Sequence, residues 1–306
     1  MNADYSVEPL IAGVVGGVIS TSSLYPLELV KTRMQVMGGQ SASYSSFSRA
    51  VLSVFKQEGF RGFFQGLSPA VFASAGSWGG YLYFYEASKN RKLKHYQKEH
   101  GHEAILGTKD HLLSGFEAGV ILVFIFNPFW VIKTRLALQG AETSKLEKYS
   151  GMGDALKTIF REEGVRGLYK GLVPALFLTS HGAVQFATYE KLKKIAASFR
   201  PEAERDIQPA YVAGVTAAIS KIVASVLTYP YQVVKSRLQQ REHDLNEKRY
   251  RGTLDCMTQI MKREGARGFF RGLLPNVVKV VPQSALTLLV YEECMKLFRS
   301  SQSIKL

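Results

Sequence analysis

Pro26-Leu-Glu28-Leu-Val-Lys31-Thr-Arg33 returns 102 residues later as Pro128-Phe-Trp130-Val-Ile-Lys133-Thr-Arg135, and after a further 102 as Pro230-Tyr-Gln232-Val-Val-Lys235-Ser-Arg237. A second block follows each copy: Glu58-Gly-Phe-Arg-Gly62-Phe-Phe-Gln65-Gly66, Glu163-Gly-Val-Arg-Gly167-Leu-Tyr-Lys170-Gly171, and Glu264-Gly-Ala-Arg-Gly268-Phe-Phe-Arg271-Gly272. Self-similarity at a long fixed period is how repeat architectures show in a sequence. Two blocks in one order, three times over, predict three copies of one unit. The expected repeats are 8–98, 108–198 and 207–300, forming one transmembrane domain over residues 1–306.

Each unit reads the same way: an apolar segment enters the Pro motif, a polar loop follows, then the Glu-Gly block and a second apolar segment ending in Tyr-Glu. Pro9–Leu27, Leu67–Tyr85 and Gly171–Tyr189 are each 19 residues without a formal charge. At about 1.5 Å per residue, such a helix nearly crosses a hydrocarbon core of roughly 30 Å. The third, fifth and sixth segments carry Glu117, Lys221 and Lys279, so they are expected to score weakly in hydropathy, and the period is what restores them. The expectation is an all-α membrane protein of six spanning helices. Each Pro should kink its helix, because it lacks an N–H and its ring clashes with the preceding turn. Gly13 and Gly17, Gly115 and Gly119, and Gly214 with Ala218 place small residues one turn apart, a pattern that lets helices approach closely. Stretches 44–57 and 153–162 read as short amphipathic surface helices.

Composition narrows the partners. The chain has 39 Lys+Arg against 25 Asp+Glu, a formal charge of +14, which leaves nucleic acid, an anionic membrane surface or an anionic ligand. The basic residues are dispersed over three repeats beside apolar spans, so no nucleic-acid partner is expected. With 21% charged and 46% apolar residues, disorder and coiled coil are disfavoured. Two cysteines make neither a disulfide framework nor a Cys-rich zinc site. His95, His100, His102 and His111 lack metal-ligand spacing, so no metal is expected. A phosphate-binding Gly-rich Lys-Ser/Thr loop, His-Glu-x-x-His and Gly-x-Ser-x-Gly are all absent from the sequence, and an enzyme or a resident cofactor is not expected. Met1–Pro9 has no Lys or Arg, so no presequence is expected. The mean hydropathy of −0.03 looks soluble and, taken alone, misleads.

These motifs resemble those of the mitochondrial carrier family, over about residues 10–299. The resemblance implies a six-helix barrel with threefold pseudosymmetry, both termini on the cytosolic side, and one central site exposed alternately to each side. It assigns the Pro-motif charges to a matrix gate and the Tyr-Glu-x-x-Lys motifs to a cytoplasmic gate. In the matrix ring Lys31, Lys133 and Lys235 are kept, but only Glu28 supplies an acid; Trp130 and Gln232 replace the other two. Glu28 is expected to pair with Lys133. Gln35 and Gln239 match glutamines that brace such pairs, while Ala137 does not. On the other side stand Tyr85-Glu86-x-x-Lys89, Tyr189-Glu190-x-x-Lys193 and Tyr291-Glu292-x-x-Met295, the last without its lysine. Both gates should therefore hold less firmly than a ring of three ion pairs.

A charged side chain at mid-membrane costs roughly 2.5–3.5 kcal/mol even on lenient scales, so it normally faces a cavity and serves function. Lys279, alone in Val277-Val-Lys279-Val-Val281, lies seven residues after Gly272. By resemblance the matching contact points are Ala73 and Leu178 with Thr179. Ser77, Gln283, Trp78, His181 and Gln185 are nearby polar or aromatic candidates, and Lys221 with Glu117 completes the set. Trp78 also reads as a packing aromatic, His181 as a helix–helix hydrogen-bond partner, and Lys221 as a structural partner of Glu117. Two lysines and an indole suit an anion with a flat ring. Asn127-Pro-x-Trp130, Ser77-Trp-Gly79, Thr179–Gln185 and Ser220-Lys221 look most like the folate/FAD branch of that family. The resemblance implies an FAD or folate carrier of the mitochondrial inner membrane, monomeric, with the bilayer and cardiolipin as lipid partners. NAD, pyrimidine nucleotides, coenzyme A, a peroxisomal or plastid membrane, and a non-transporting adaptor are the alternatives.

Overall fold

A computed structural model of the chain describes residues 7–39, 41–100, 106–141, 147–199, 209–241 and 250–303. Every regular element among them is helical. The helices are α1 Val7–Ser23, α2 Tyr25–Met37, α3 Phe47–Gly62, α4 Leu67–His100, α5 Thr108–Leu138, α6 Met152–Leu168, α7 Leu172–Phe177, α8 His181–Ser198, α9 Ala210–Gln239, α10 Thr253–Glu264 and α11 Leu273–Ser303. Six long segments pack in a closed circuit: α1–α2, α4, α5, α7–α8, α9 and α11, with α11 returning to α1. That is the six-helix arrangement expected from the repeats.

The hydropathy expectation is reversed. Thr108–Leu138, Tyr211–Gln239 and Ala266–Phe298 are long and apolar enough to cross a membrane, and Ile11–Ser23 with Tyr25–Met37 makes a bent fourth. These include the three segments interrupted by a charge, whereas α4 and α7–α8 do not qualify. The cause is composition: Leu67–Tyr85 has no charge but is rich in Gly, Ser and Tyr, while one Lys among Val and Leu barely lowers the average. Lack of charge is not apolarity.

The three prolines act differently. At Pro26 the first span breaks and turns by 63° between α1 and α2. Pro128 and Pro230 sit inside continuous helices. Of the small-residue pairs, Gly13 and Gly17 form a slot for the Trp78 indole, since a Cβ on Gly17 would lie 2.7 Å from Trp78 Cδ1. Gly115 and Gly119 receive Tyr81 and Thr179, but nothing lies near Gly214. Gly16 of α1 faces backbone instead: a Cβ there would meet the Thr287 carbonyl of α11 at 2.9 Å.

The surface helices repeat one another. Each buries two residues one turn apart: Ala50 and Val54 on α3, Ala155 and Ile159 on α6, Cys256 and Ile260 on α10. A stripe at i and i+4 lies on one helix face, so the helix rests flat on the barrel end. The second apolar segment of each repeat then starts at Gly66, Gly171 or Gly272. Gly66 and Gly272 need to be glycine twice over. Their φ angles are +82° and +77°. A Cβ would sit 2.8 Å from the Lys133 carbonyl at Gly66, and 3.0 Å from the Lys31 carbonyl at Gly272.

Candidate functional site

Each Pro motif ends in an arginine buried at the barrel end. Arg33, Arg135 and Arg237 bond Glu58, Glu163 and Glu264 of their own repeats. Each also reaches into the next repeat, with Nε donating to a backbone carbonyl: Arg33 to Ala137 at 2.8 Å, Arg135 to Gln239 at 3.2 Å, Arg237 to Gln35 at 3.0 Å. The shared feature of positions 35, 137 and 239 is thus the carbonyl, which Ala137 supplies as any residue would. The glutamine side chains add contacts of their own. Gln35 Oε1 accepts from Ser236 at 2.7 Å, and Gln239 Oε1 accepts from Thr134 at 3.0 Å.

Tyrosines tie the same ends down. Tyr25 donates to the Gln65 carbonyl at 2.8 Å and Tyr229 to the Arg271 carbonyl at 2.9 Å. In the second repeat Asn127 takes this place, bonding the Leu168 carbonyl at 2.9 Å. Outside the spanning segments, burial alone would raise the Glu163 carboxyl. The hydrogen bond and charge of Arg135, and then of Lys170, override that and hold it at about 2.

Two residues before each arginine lie the motif lysines, and each has a partner from another repeat. Lys133 Nζ donates to Glu28 Oε1 at 2.7 Å and to Thr32 Oγ1 at 3.1 Å. Lys31 Nζ donates to Gln232 Oε1 at 3.0 Å. Lys235 Nζ lies 5.3 Å from the centre of the Trp130 ring, within the range of a cation–π contact. The residues that replace acids therefore still receive lysines.

Lys279 reaches the same point from above, its Nζ 2.6 Å from Glu28 Oε2. A cavity of about 90 Å³ opens here, lined by Ser20, Thr21, Leu24, Glu28, Ala70, Trp130, Lys133 and Lys279. Further along α9, Lys221 Nζ donates to Ser284 Oγ at 2.6 Å and is within electrostatic reach of Lys279. His181 Nδ1 shares a 3.1 Å hydrogen bond with Thr228 Oγ1. Leu178 and Thr179 fall in a 3-10 turn, Leu178–Ser180, between α7 and α8, and Thr179 donates to the Leu176 carbonyl. Ser77, Gln185 and Gln283 are half-buried. Lys133, Lys279 and, at 3.9 Å, Lys31 thus share the carboxylate of Glu28, while Lys235 rests on Trp130 and Lys221 on Ser284.

Three candidates lie elsewhere. Ala73 is fully buried against Leu122 and Phe126 and offers no surface to a ligand. Trp78 packs over Gly13 and Gly17 of α1, although it is 44% exposed. Glu117 is not with Lys221; it binds Ser88, Arg91 and Lys92 of α4 at 2.5, 2.6 and 3.3 Å. It sits 16 residues before Lys133 on α5, which is roughly 24 Å along the helix. The residues that the sequence did not single out are the hydroxyls: Thr32, Thr134, Ser236, Thr228 and Ser284. For Thr32, Thr134 and Ser236 the signal is the hydroxyl between Lys and Arg in all three motifs.

At the Tyr-Glu end the motif charges of different repeats do not meet. Lys89 bonds Glu86 at 2.6 Å within one helix and lies 5.7 Å from the Tyr85 ring. Tyr85 Oη is 2.8 Å from His111 Nδ1. Among the described residues, Glu190, Lys193 and Glu292 have no ion pair within 4.0 Å. Tyr189 and Tyr291 precede those acids on α8 and α11. His102 lies outside the described residues.

The mitochondrial carrier protein family model matches the chain three times, over residues 2–96, 106–199 and 208–302. The chain belongs to the mitochondrial carrier family. It is 38% identical, over the whole of both chains, to "Folate transporter 1, chloroplastic" of Arabidopsis thaliana. It is 37% identical to "Nicotinamide adenine dinucleotide transporter 1, chloroplastic" of the same plant, covering 92% of this chain and 88% of the relative. With "Nicotinamide adenine dinucleotide transporter 2, mitochondrial" it shares 34%, covering 94% and 78%. Members of this carrier family are transporters rather than enzymes.

Proposed function

We propose that this carrier moves an anionic, nucleotide-like cofactor, FAD or folate first, through the central cavity by alternating access. The observation that carries the reading is the excess of cation at the cavity floor, where Lys133, Lys279 and Lys31 share the one carboxylate of Glu28, with Lys221 further along α9. Uncompensated cations are costly inside a membrane unless a ligand or a gate uses them. Lys279 and Lys221 would hold phosphate or carboxylate groups, with His181, Thr179, Ser77, Gln185 and Gln283 around the remainder of the molecule.

In this conformation the Pro-motif end is shut, and at the Tyr-Glu end, among the described residues, the motif charges Glu86, Lys89, Glu190, Lys193 and Glu292 make no ion pair between repeats. The reading is a carrier open to the cytosol, its matrix gate formed by Glu28, Lys31, Trp130, Lys133, Gln232 and Lys235. The membrane is the mitochondrial inner membrane in this reading. A plastid envelope is the second choice, because two of the relatives are named as chloroplastic. NAD is the second substrate, because two relatives are named as its transporters. The carrier would act as a monomer. A cavity of about 1200 Å³ at the matrix face, lined by Arg166, Lys170 and Arg251 beside Leu172 and Val173, suits an anionic phospholipid such as cardiolipin.

Uptake into proteoliposomes tests the proposal across FAD, FMN, folates, NAD, coenzyme A and pyrimidine nucleotides. FAD or folate uptake well above the others is expected. Uptake of none of them defeats the reading. Lys279→Ala should abolish uptake while the detergent-purified protein still melts cooperatively; wild-type uptake by that variant removes Lys279 from the site.

A further inference from the structure

Neighbouring repeats meet along three equivalent seams, α4 against α5, α8 against α9 and α11 against α1. Near the Tyr-Glu end the first of these is polar. The Glu117 carboxylate of α5 accepts from Ser88 Oγ and Arg91 of α4 at 2.5 and 2.6 Å and has Lys92 at 3.3 Å. Lys92 also donates to Ser114 Oγ at 3.2 Å, and Tyr85 Oη meets His111 Nδ1 at 2.8 Å. Aligning the repeats on their Tyr-Glu pairs and motif prolines gives the matching places in the second seam. Ser88, Arg91 and Lys92 become Leu192, Ile195 and Ala196, while Ser114 and Glu117 become Thr216 and Ile219. These five residues line a groove of about 350 Å³ between α8 and α9.

The two seams answer sliding differently. Glu117 lies four residues after Leu113, four before Ile121 and seven before Phe124, all exposed, so it shares their helix face. A carboxylate on such an apolar stripe is costly without its donors, and its charge-assisted hydrogen bonds are stronger than neutral ones. Moving α4 along α5 would break them together. Apolar side chains around a loosely filled groove trade one contact for another in a shear motion and leave no polar group unpaired. We propose that α4 and α5 stay locked through the transport cycle, so that the first two repeats travel as one body and the barrel gives at the α8–α9 seam. Lys221 on α9 and Lys279 on α11 both belong to the third repeat, which is the one that moves. Glu117 is the positioning residue of the locked seam. The inference rests on alternating access and not on which anion is carried.

The test uses the full chain with Cys256→Ala and Cys294→Ser, reconstituted in liposomes. Lys92→Cys with Ser114→Cys spans the α4–α5 seam, and the matching Ala196→Cys with Thr216→Cys spans α8–α9. Each pair is closed by a short bis-methanethiosulfonate and reopened by reductant, and uptake of FAD, folate and NAD is read in both states. The α4–α5 bridge should leave the initial rate within about twofold, whereas the α8–α9 bridge should lower it about tenfold or more, with recovery on reduction. Glu117→Gln should lower the melting temperature, and the α4–α5 bridge added to that variant should restore it.

Transport stopped by the α4–α5 bridge overturns the locked seam, and transport untouched by the α8–α9 bridge overturns the moving one. If wild type takes up none of the three compounds, the cofactor reading fails and the seams are judged by hydrogen exchange of the unliganded protein. The same measurement decides if a cysteine pair fails to fold. Amides of 108–117 should exchange about tenfold more slowly than those of 210–219, and Glu117→Gln should remove the difference. Equal exchange of the two stretches in wild type sinks the inference.

Discussion

The two ends of the barrel carry similar charged motifs in opposite states. At the Pro-motif end, Lys31, Lys133 and Lys235 each reach a residue of another repeat. At the Tyr-Glu end, Lys89 bonds Glu86 of its own helix, one turn away. An intrahelical pair at i and i+3 contributes about 0.2–0.5 kcal/mol and holds no two helices together. The lesson is that a charge inventory does not say which end is shut; whether the motif lysines reach another repeat does. A second lesson concerns strength. The acid-poor ring at the Pro-motif end keeps its lysines engaged through an amide and an indole, so fewer acids does not mean bare cations.

The comparison can be broken most forcefully at the arginines beneath the lysines. Arg135→Ala would leave the Glu163 carboxylate to Lys170 alone and free the Gln239 carbonyl. Removing one partner of such a buried pair typically costs about 3–5 kcal/mol. A large fall in melting temperature is expected, and a fall of a degree or less would show that the pair is not structural. Acid offers a milder probe of the same contact. The Glu163 carboxyl sits at about 2 in the folded protein, below its ordinary 4.5. Its contribution is therefore complete above about pH 4.5 and fades as pH falls toward 2. Wild type should lose melting temperature across that window faster than Glu163→Gln; parallel curves would contradict the assignment.

Trp130 sharpens the contrast at smaller scale. Trp130→Leu removes the ring beneath Lys235, an interaction of about 0.5–2 kcal/mol. Apo stability should drop accordingly. Trp130→Asp should recover it or exceed it, and slow transport by holding the Pro-motif end closed. Unchanged transport kinetics in Trp130→Asp would count against a gating role. The smallest effect is expected at the opposite end. Met295→Lys supplies the third Tyr-Glu-x-x-Lys motif with its missing cation. In this conformation the gain should be under about 0.5 kcal/mol, since an exposed ion pair contributes little. A large stabilisation would mean that this end is already drawn together.

The repeat unit and the helical class were legible because the Pro motif and the Glu-Gly block recur in register. Hydropathy was misread where Gly, Ser and Tyr made an uncharged stretch look apolar. Partners were harder. Trp130 and Gln232 read as losses by the criterion of opposite charge, whereas a lysine also accepts an aromatic face or an amide oxygen as its partner. Glu117 and Lys221 were set together as the two charges of odd-numbered helices, yet depth along a helix and its facing side decide contact, and these placed Glu117 against α4. Ala73 shows the same limit: repeat alignment gave its level in the barrel but not the Phe126 ring that covers it.

The arginine contacts have a consequence for the order of the chain. Arg33 reaches the second repeat, Arg135 the third, and Arg237 returns to the first, so the clasp has no beginning and no end. The covalent gap between α11 and α1 falls in a wall packed as closely as those that are bridged by peptide. Where translation starts is, mechanically, an arbitrary cut in a hoop. A rearranged gene that began at the second repeat and joined the old ends by a linker would spell the same barrel.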